Sequence, residues 1–224
     1  MIEQYEQPSW PSSQPQPTIQ DVTPPTEPPK ANMWQQLKPV LSVILFVVSV
    51  VMAATLINAF VFQSYYVEGT SMTPTLQDHD RLIIDKFSRT TSAIQGKTYV
   101  PERGQIIILD STFRDRQGKP EQLIKRVIGL PGERISIQNG IITIYNHVSP
   151  AGFNIDESLN LSLAPAFSSE PIDIVLAKNE IYVVGDNRAP GGSLDSRSFG
   201  PVSLDNVEGR LWARIFPFNE MRIF

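Results

Sequence analysis

One serine and one lysine in this sequence have the surroundings that nucleophilic catalysis requires. Ser71 lies between Gly69 and Pro74, and these residues favour a sharp, non-helical turn that exposes the serine hydroxyl. Lys125 lies in an apolar run, where desolvation lowers the pKa of an amine. A neutral amine is a general base that can activate a serine hydroxyl for attack on a carbonyl carbon. The two residues therefore predict acyl-transfer chemistry by a Ser71–Lys125 pair.

The same residues leave other interpretations open. A loop serine commonly caps or solvates the chain, and a lysine on an apolar face can extend its ammonium to solvent. His79 and His147 are the two imidazoles, and each is an alternative base. His79 has the acidic neighbours of a solvated turn, and His147 lies in an irregular polar stretch. Lys125 is the better candidate because neither histidine has a context that favours a triad.

Lys125 belongs to a predicted strand at residues 123–129. Side chains alternate between the two faces of a strand, so Lys125 shares its face with Leu123 and Val127. Arg126 then lies on the opposite face. The strand must bring the amine to the Ser71 turn if the two residues act together.

The Ser71 turn follows an apolar segment that predicts a membrane span. Residues 40–62 are 23 residues without charge, and a helix of that length reaches roughly 34 Å, enough to cross a hydrocarbon core of about 30 Å. Pro39 suits the first turn of this helix, which is predicted over residues 39–63. Two lysines precede the span and the first base after it is Arg81, so the positive-inside rule favours a cytoplasmic N-terminus.

The span divides the chain into a tail and a larger domain. Residues 1–38 are rich in Pro and Gln and are predicted to be disordered. No apolar segment follows the first residues, so a secretory signal at the N-terminus is not predicted. Residues 64–224 are predicted to form a domain outside the cytoplasm.

Beyond the span, the sequence predicts a mostly β fold of antiparallel sheets. Asn139-Gly140 lies between two alternating runs and predicts a hairpin. Residues 146–178 are irregular and polar and are predicted to be a variable insertion, and no segment has a convincing amphipathic-helix pattern. Short apolar runs bounded by turn residues predict strands at residues 81–85, 105–109, 123–129, 134–138, 141–145, 180–184 and 209–216.

Composition argues against several other classes of function. There is no cysteine, so neither disulfides nor thiolate chemistry can contribute. Two histidines make a multi-histidine metal site improbable, and no metal or other cofactor is predicted. The formal net charge is −4, whereas a nucleic-acid-binding chain would favour a basic patch.

Several sequence boxes after the span resemble those of type I signal peptidases, in the order in which that family has them. One box alone would be weakly specific, but the ordered set after a membrane span is highly specific. The resemblance runs from the span to Val202. The matching boxes are residues 71–76 (SMTPTL), 103–106 (RGQI), 125–133 (KRVIGLPGE), 185–188 (GDNR) and 193–200 (SLDSRSFG).

The resemblance implies a role for each matching residue. Ser71 would be the nucleophile and its backbone amide an oxyanion donor, Lys125 the general base, and Ser193 the hydroxyl that orients the lysine amine. The residues implied to be structural and near the site are Met72, the pair Arg126 and Asp186, and the pair Asp195 and Arg197.

The resemblance also implies the substrate and location. Family members remove signal peptides from exported preproteins after small residues, typically in an Ala-X-Ala pattern, with a β-rich domain that rests on the bilayer. The implied location is a bacterial or thylakoid-type membrane, with the catalytic domain on its outer or lumenal side. A non-catalytic relative that binds extended peptides as an added strand is the contrasting class, which loss of Ser71 or Lys125 would favour.

Three positions depart from the family pattern. Gly69 stands where some members carry a serine that helps the oxyanion hole, so backbone donors must supply that role. Gln105 replaces the usual aspartate and is predicted to alter a structural contact. Residues 189–192 form a segment about two residues longer than usual, which affects the placement of Ser193.

Overall fold

A computed structural model describes residues 33–114 and 117–224. The chain divides at Val47, so that the first part of the N-terminal helix belongs to one unit and residues 48–224 form the second. The helices are α1 (Met33–Phe60), α2 (Phe87–Ile94), α3 (Ile155–Ser158) and α4 (Ser196–Phe199), with short 3₁₀ turns at Leu204–Asn206 and Phe218–Glu220. The strands are β1 (Phe62–Tyr66), β2 (Arg81–Asp85), β3 (Ile106–Arg114), β4 (Pro120–Gly129), β5 (Arg134–Gln138), β6 (Ile141–Tyr145), β7 (Phe153–Asn154), β8 (Ile172–Val175), β9 (Glu180–Val184), β10 (Val202–Ser203), β11 (Val207–Phe216) and β12 (Arg222–Ile223).

Helix α1 contains a segment long and apolar enough to cross a membrane, Leu37–Phe60. The helix begins at Met33, so the last six residues of the predicted tail are helical, and residues 1–32 lie outside the described residues. Pro39 is therefore inside the helix and not in its first turn. Met, Gln, Leu and Lys before the proline are strong helix formers, and their propensity accounts for the added turns.

Most of the strands form one antiparallel sheet in the order β1-β2-β11-β3-β4-β9-β10, with β12 paired to β11. Strand β4 lies inside this sheet, between β3 and β9, and Lys125 is opposite Ile107 of β3. The pairing with β3 includes Lys125, whereas the pairing with β9 begins at the next residue, Arg126. The β3 ladder therefore holds the Lys125 backbone on one side only.

A second antiparallel sheet has the order β7-β6-β5-β8. The predicted hairpin at Asn139-Gly140 joins β5 and β6, and both turn residues have positive φ, 51° and 78°. Its core is continuous with residues at the end of β4 and in β9, including Ile128, Tyr182 and Val184. The second sheet therefore packs beside the end of the strand that carries Lys125.

The prediction of a mostly β fold with antiparallel sheets after one apolar helix is confirmed. Two details were wrong. The short helix α2 was not predicted, because eight residues rich in Ser and Thr give too little helical periodicity. Residues 146–178 were predicted to be irregular, yet they contain β7, α3 and β8, and β8 pairs with β5. Elements of two to four residues depend on their pairing partners more than on local composition.

Candidate active site

Ser71 is carried by the loop at residues 67–80, which connects the paired strands β1 and β2. Val67 N donates to Asp80 O at 2.9 Å, and His79 N donates to Val67 O at 3.0 Å, so the two ends of the loop are joined. Met72, immediately after the nucleophile candidate, is buried in a core cluster with residues of β2, β3 and β11. The loop is thus anchored at its neck and at its centre, with the half-buried Ser71 next to the central anchor.

Lys125 reaches Ser71 from the middle of the main sheet. The distance from Lys125 Nζ to Ser71 Oγ is 2.8 Å, and the lysine is only 2% exposed. Burial lowers the pKa of the Lys125 amine from 10.5 to about 8. When the amine is neutral, its lone pair can accept the Ser71 hydroxyl proton across the same contact.

Two ion pairs near the amine affect its charge less than burial does. The Asp195 carboxylate opposes the lowering of the Lys125 pKa, the Arg197 guanidinium adds to it, and Asp186 opposes it more weakly. Because Asp195 is paired with Arg197, the opposite charge of that guanidinium partly offsets the field of the carboxylate at Nζ.

Arg126, the neighbour of Lys125, forms a buried pair with Asp186. Arg126 Nε donates to Asp186 Oδ1 at 2.8 Å, a second guanidinium nitrogen donates to Oδ2, and Nη1 donates to Gly104 O at 2.8 Å. The Thr75 hydroxyl also donates to Asp186. These contacts join β4, the Ser71 loop and the segment after β9.

Asp195 and Arg197 form the second pair of the region. Arg197 Nε donates to Asp195 Oδ1 at 2.9 Å and Nη2 donates to Oδ2 at 2.7 Å. Burial alone would raise the pKa of Asp195, but the hydrogen bonds and charge of Arg197 outweigh it and lower that pKa. Asp195 Oδ2 also accepts from Gly185 N at 2.8 Å, which holds the end of β9.

The segment after β9 lies directly against the backbone of the Ser71 loop. Asn187 N donates to Ser71 O at 3.0 Å, and Asn187 Nδ2 donates to Thr70 O at 3.2 Å. A side chain at Gly185 would overlap the Ser71 carbonyl and Ser193, so only glycine permits this approach.

Ser193 is close to this site, although it is not bonded to the lysine. Its hydroxyl lies beside Gly185 and is buried, and no hydrogen bond of ordinary geometry joins it to a described residue, Lys125 included. It is nevertheless close enough to Asp195 to help lower the pKa of that carboxyl. Its predicted orienting role stays a prediction.

The two histidines lie on the surface. His79 is 70% exposed and contacts Tyr66 and Asp78, and no hydrogen bond joins it to Ser71 in the described part of the chain. His147 is exposed in the turn after β6. Gln105 accepts from Glu102 N at 3.1 Å, a local contact within its own turn.

Several residues that contribute to the site had no role assigned from the sequence. Thr75, Asn187 and Arg188 all belong to quoted boxes, so the signal was present, but one sequence does not reveal partners. Arg188 is buried, donates to Gly185 O at 3.1 Å, and forms a two-point pair with Asp156 of α3. It thereby connects the segment beside Ser71 to α3, which packs against the core of the second sheet.

A cleft of about 610 Å³ contains both Ser71 and Lys125. One wall is formed by residues 65–68, at the end of β1 and just after it, and the other by residues 119–125, at the start of β4 and just before it. Leu82 and Ile108 also line the cleft. A larger cleft of about 780 Å³ lies at the hairpin tip of the second sheet, but neither Ser71 nor Lys125 lines it. Within residues 33–114 and 117–224, no group of three or more acidic or histidine side chains is placed to hold a metal ion.

Comparison with known proteins supplies an independent observation. A family model described as signal peptidase, peptidase S26, matches residues 40–216. A probable signal peptidase I-2 of Synechocystis sp. is 31% identical over 192 residues, which cover 85% of this chain and 77% of that protein. Signal peptidase I of Leptolyngbya laminosa is 33% identical over 202 residues, covering 89% and 90%. Signal peptidase I P of Bacillus subtilis subsp. natto is 33% identical over 180 residues, covering 79% and 88%.

Proposed function

The chain belongs to the signal peptidase family, peptidase S26, and from that membership we propose that it removes signal peptides from exported preproteins with a Ser71–Lys125 dyad. It is a type I signal peptidase, a serine endopeptidase, and the dyad is the chemical part of the proposal. The observation that carries it is the 2.8 Å contact between Ser71 Oγ and a lysine amine that is almost fully buried.

The proposed reaction begins with the neutral amine. Lys125 Nζ takes the Ser71 hydroxyl proton as the oxygen attacks the scissile carbonyl carbon, which gives a tetrahedral intermediate. The ammonium then returns that proton to the leaving amine as the C–N bond breaks, which leaves an ester on Ser71. Water, deprotonated by the same amine, hydrolyses the ester and releases the second product.

The negative oxygen of the intermediate requires hydrogen-bond donors. The Ser71 backbone amide is the proposed donor, and residue 69 supplies no hydroxyl because it is glycine. The anchoring of Ser71 O by Asn187 N fixes the peptide unit that follows the nucleophile.

Ser193 is proposed to orient the amine of Lys125. The support is a buried hydroxyl beside Gly185 with unused hydrogen-bonding capacity in the described structure. A buried hydroxyl without a hydrogen bond of ordinary geometry is uncommon and needs an explanation, which a contact formed with substrate bound would supply.

The cleft supports binding of an extended peptide with apolar side chains near the cut, and family membership is the basis for proposing that these side chains are small. Backbone segments on its two walls can pair with a substrate as an added strand, whose alternate side chains enter the cleft. Leu82, Ile108 and Ile124 give these positions apolar walls. Alanine at the first and third positions before the bond is the proposed pattern.

The apolar segment Leu37–Phe60 is the proposed single membrane anchor. The proposed N-terminus is cytoplasmic, with the peptidase domain on the outer or lumenal side of a bacterial or thylakoid-type membrane. Lys30 and Lys38 before the span support that orientation. Strand β1 begins two residues after α1 ends, so the site lies a short chain distance from the anchor.

The test is cleavage of a purified preprotein by the purified full chain in detergent, with the new N-terminus identified by sequencing. Wild type should cut after an Ala-X-Ala sequence, and Ser71→Ala should not. Binding of the signal peptide without cleavage by wild type would instead support the non-catalytic class.

A further inference from the structure

A carboxylate that the proposed reaction does not use holds the backbone just ahead of the nucleophile. Asp78 Oδ1 accepts a hydrogen bond from Gly69 N at 2.8 Å, across the loop that carries Ser71. We propose that Asp78 is a positioning residue that fixes Gly69 and thereby the direction of the Ser71 amide and hydroxyl. The inference rests on the proposed function of Ser71 and adds a residue outside the dyad and its ion pairs.

Gly69 is the part of the loop that most needs such a restraint. Its φ is +95°, and no atom lies within 4 Å of the position that a Cβ would occupy. Glycine has access to more backbone conformations than other residues, and here no packing limits them on the side-chain face. Because Gly69 is two residues before Ser71, a change in its dihedral angles reorients the nucleophile.

The other side of the nucleophile is held by different contacts. Asn187 N binds Ser71 O, and the buried Met72 and Leu76 fix the chain that follows. On the N-terminal side, Val67 is buried in the same core cluster and Asn187 Nδ2 holds Thr70 O. Asp78 supplies the restraint at Gly69, which lies between these two contacts.

Asp78 is itself held by a small surface network. Its Oδ2 lies 3.4 Å from His79 Nε2, and His79 Nδ1 lies 2.6 Å from the Tyr66 hydroxyl. A neutral imidazole serves both contacts when Nε2 carries the proton, because Nδ1 then accepts from Tyr66 and Nε2–H faces the carboxylate. The Tyr66 and His79 rings also stack, with centroids 5.4 Å apart.

Tyr66 also lines the cleft, so the network connects a substrate-contacting wall to the nucleophile loop. The contributions within it are unequal. Asp78 bonds the loop directly, whereas the His79 contact is long and exposed, and exposed pairs of this kind contribute little.

The chemistry predicts which change matters. The hydrogen bond requires an acceptor oxygen, which Asp78→Asn retains and Asp78→Ala removes. A displacement of the reacting atoms by about 1 Å can slow a reaction about 100-fold, so we expect kcat of Asp78→Ala to fall by about tenfold to 100-fold. KM should change by less than about threefold, since the cleft walls that hold the peptide remain.

The experiment compares four full-length proteins in detergent: wild type, Asp78→Ala, Asp78→Asn and Asp173→Ala. Asp173 is a matched control because its carboxylate is 47% exposed, against 42% for Asp78, and it pairs with Arg134 on the second sheet. Kinetics on one preprotein-derived peptide give kcat, KM and the pH dependence. Hydrogen–deuterium exchange of residues 67–76 reports the restraint independently of any activity.

We expect Asp78→Ala alone to show faster hydrogen–deuterium exchange in residues 67–76 and a lower kcat. Its kcat/KM should depend on pH as that of wild type does, and Asp78→Asn should be near wild type in both measurements. The proposal is overturned if Asp78→Ala matches Asp173→Ala in both measurements, or if Asp78→Asn is as impaired as Asp78→Ala. If wild type cleaves nothing, the proposed function fails. In that case the positioning role fails with it, whatever the exchange shows.

Discussion

Replacement of Lys125 by methionine should make the protein more stable at neutral pH while abolishing cleavage. Methionine has a similar length and no charge, so it removes the buried amine without leaving a large cavity. Wild type must desolvate that amine on folding, and the lysine is 2% exposed. We therefore expect that the Lys125 amine, which the reaction requires, destabilises the folded state, and that its removal stabilises the protein.

The size of the effect follows from the pKa of Lys125, which burial lowers from 10.5 to about 8. One pKa unit corresponds to about 1.4 kcal/mol, so the fully protonated folded state is destabilised by about 3 kcal/mol. Integration over the two titrations gives a variant more stable by about 3 kcal/mol at pH 7 and by about 1 kcal/mol at pH 10.

The sign is set by which state holds the proton. Between the folded pKa of about 8 and the unfolded value of 10.5, the unfolded chain keeps a proton that the folded chain has lost. Wild-type stability therefore rises with pH across this window relative to the variant. Below pH 8 both states are protonated and the difference is constant.

Urea unfolding in detergent at pH 7, 8.5 and 10, followed by near-ultraviolet circular dichroism, would measure the difference. Lys178→Met is the control, because Lys178 is exposed and its removal releases no buried charge. A variant no more stable than wild type at pH 7 would refute the reasoning. So would an advantage that does not shrink by pH 10.

The remaining predictions concern rate, pairing and specificity. The kcat/KM of wild type should rise about tenfold between pH 7 and pH 9, because a base of pKa about 8 becomes neutral in that range. An increase in kcat/KM centred near pH 6.5 that disappears in His79→Ala would instead indicate that an imidazole is the base. Ser71→Ala should abolish cleavage of a purified preprotein without changing the unfolding midpoint appreciably, and residual turnover would argue against the dyad. Arg126→Ala and Asp186→Ala should each lower the free energy of unfolding, measured in urea, by about 3–5 kcal/mol. The double variant should lose much less than the sum of the two, and additive losses would argue against a coupled pair. Cleavage should stop when the substrate residue before the scissile bond is changed from alanine to a bulky residue. Detection by mass spectrometry of products cut after lysine or aspartate would contradict the proposed specificity.

The fold class was predictable because it depends on local patterns. The charge-free segment specified a helix long enough to cross a bilayer, and β2, β9 and the β5–β6 hairpin have the predicted bounds. The hairpin was the strongest case, since Asn139 and Gly140 tolerate the positive φ that the turn requires. The start of α1 and the short strands of residues 146–178 were harder, because propensities and distant pairing partners decide them.

For the candidate site, the sequence identified residue types but not their surroundings. Ser71 and Lys125 were chosen from a turn and an apolar strand, and Arg126 and Asp186 from two of the matching boxes. The contact of Asp78 with Gly69 left no trace in the sequence pattern, because acidic neighbours of a histidine are typical of any solvated turn.

The sequence by itself determined that this chain has an apolar helix long enough to cross a membrane, a mostly β domain and a serine and lysine suited to acyl transfer. Those features follow from hydrophobicity, side-chain alternation and turn chemistry, which act over a few residues. Only the tertiary structure decided that Lys125 Nζ meets Ser71 Oγ at 2.8 Å, that the amine is desolvated, and that Ser193 is not bonded to it. Those outcomes depend on how β4, the Ser71 loop and the segment after β9 pack together, and burial, which sets the pKa, exists only after packing.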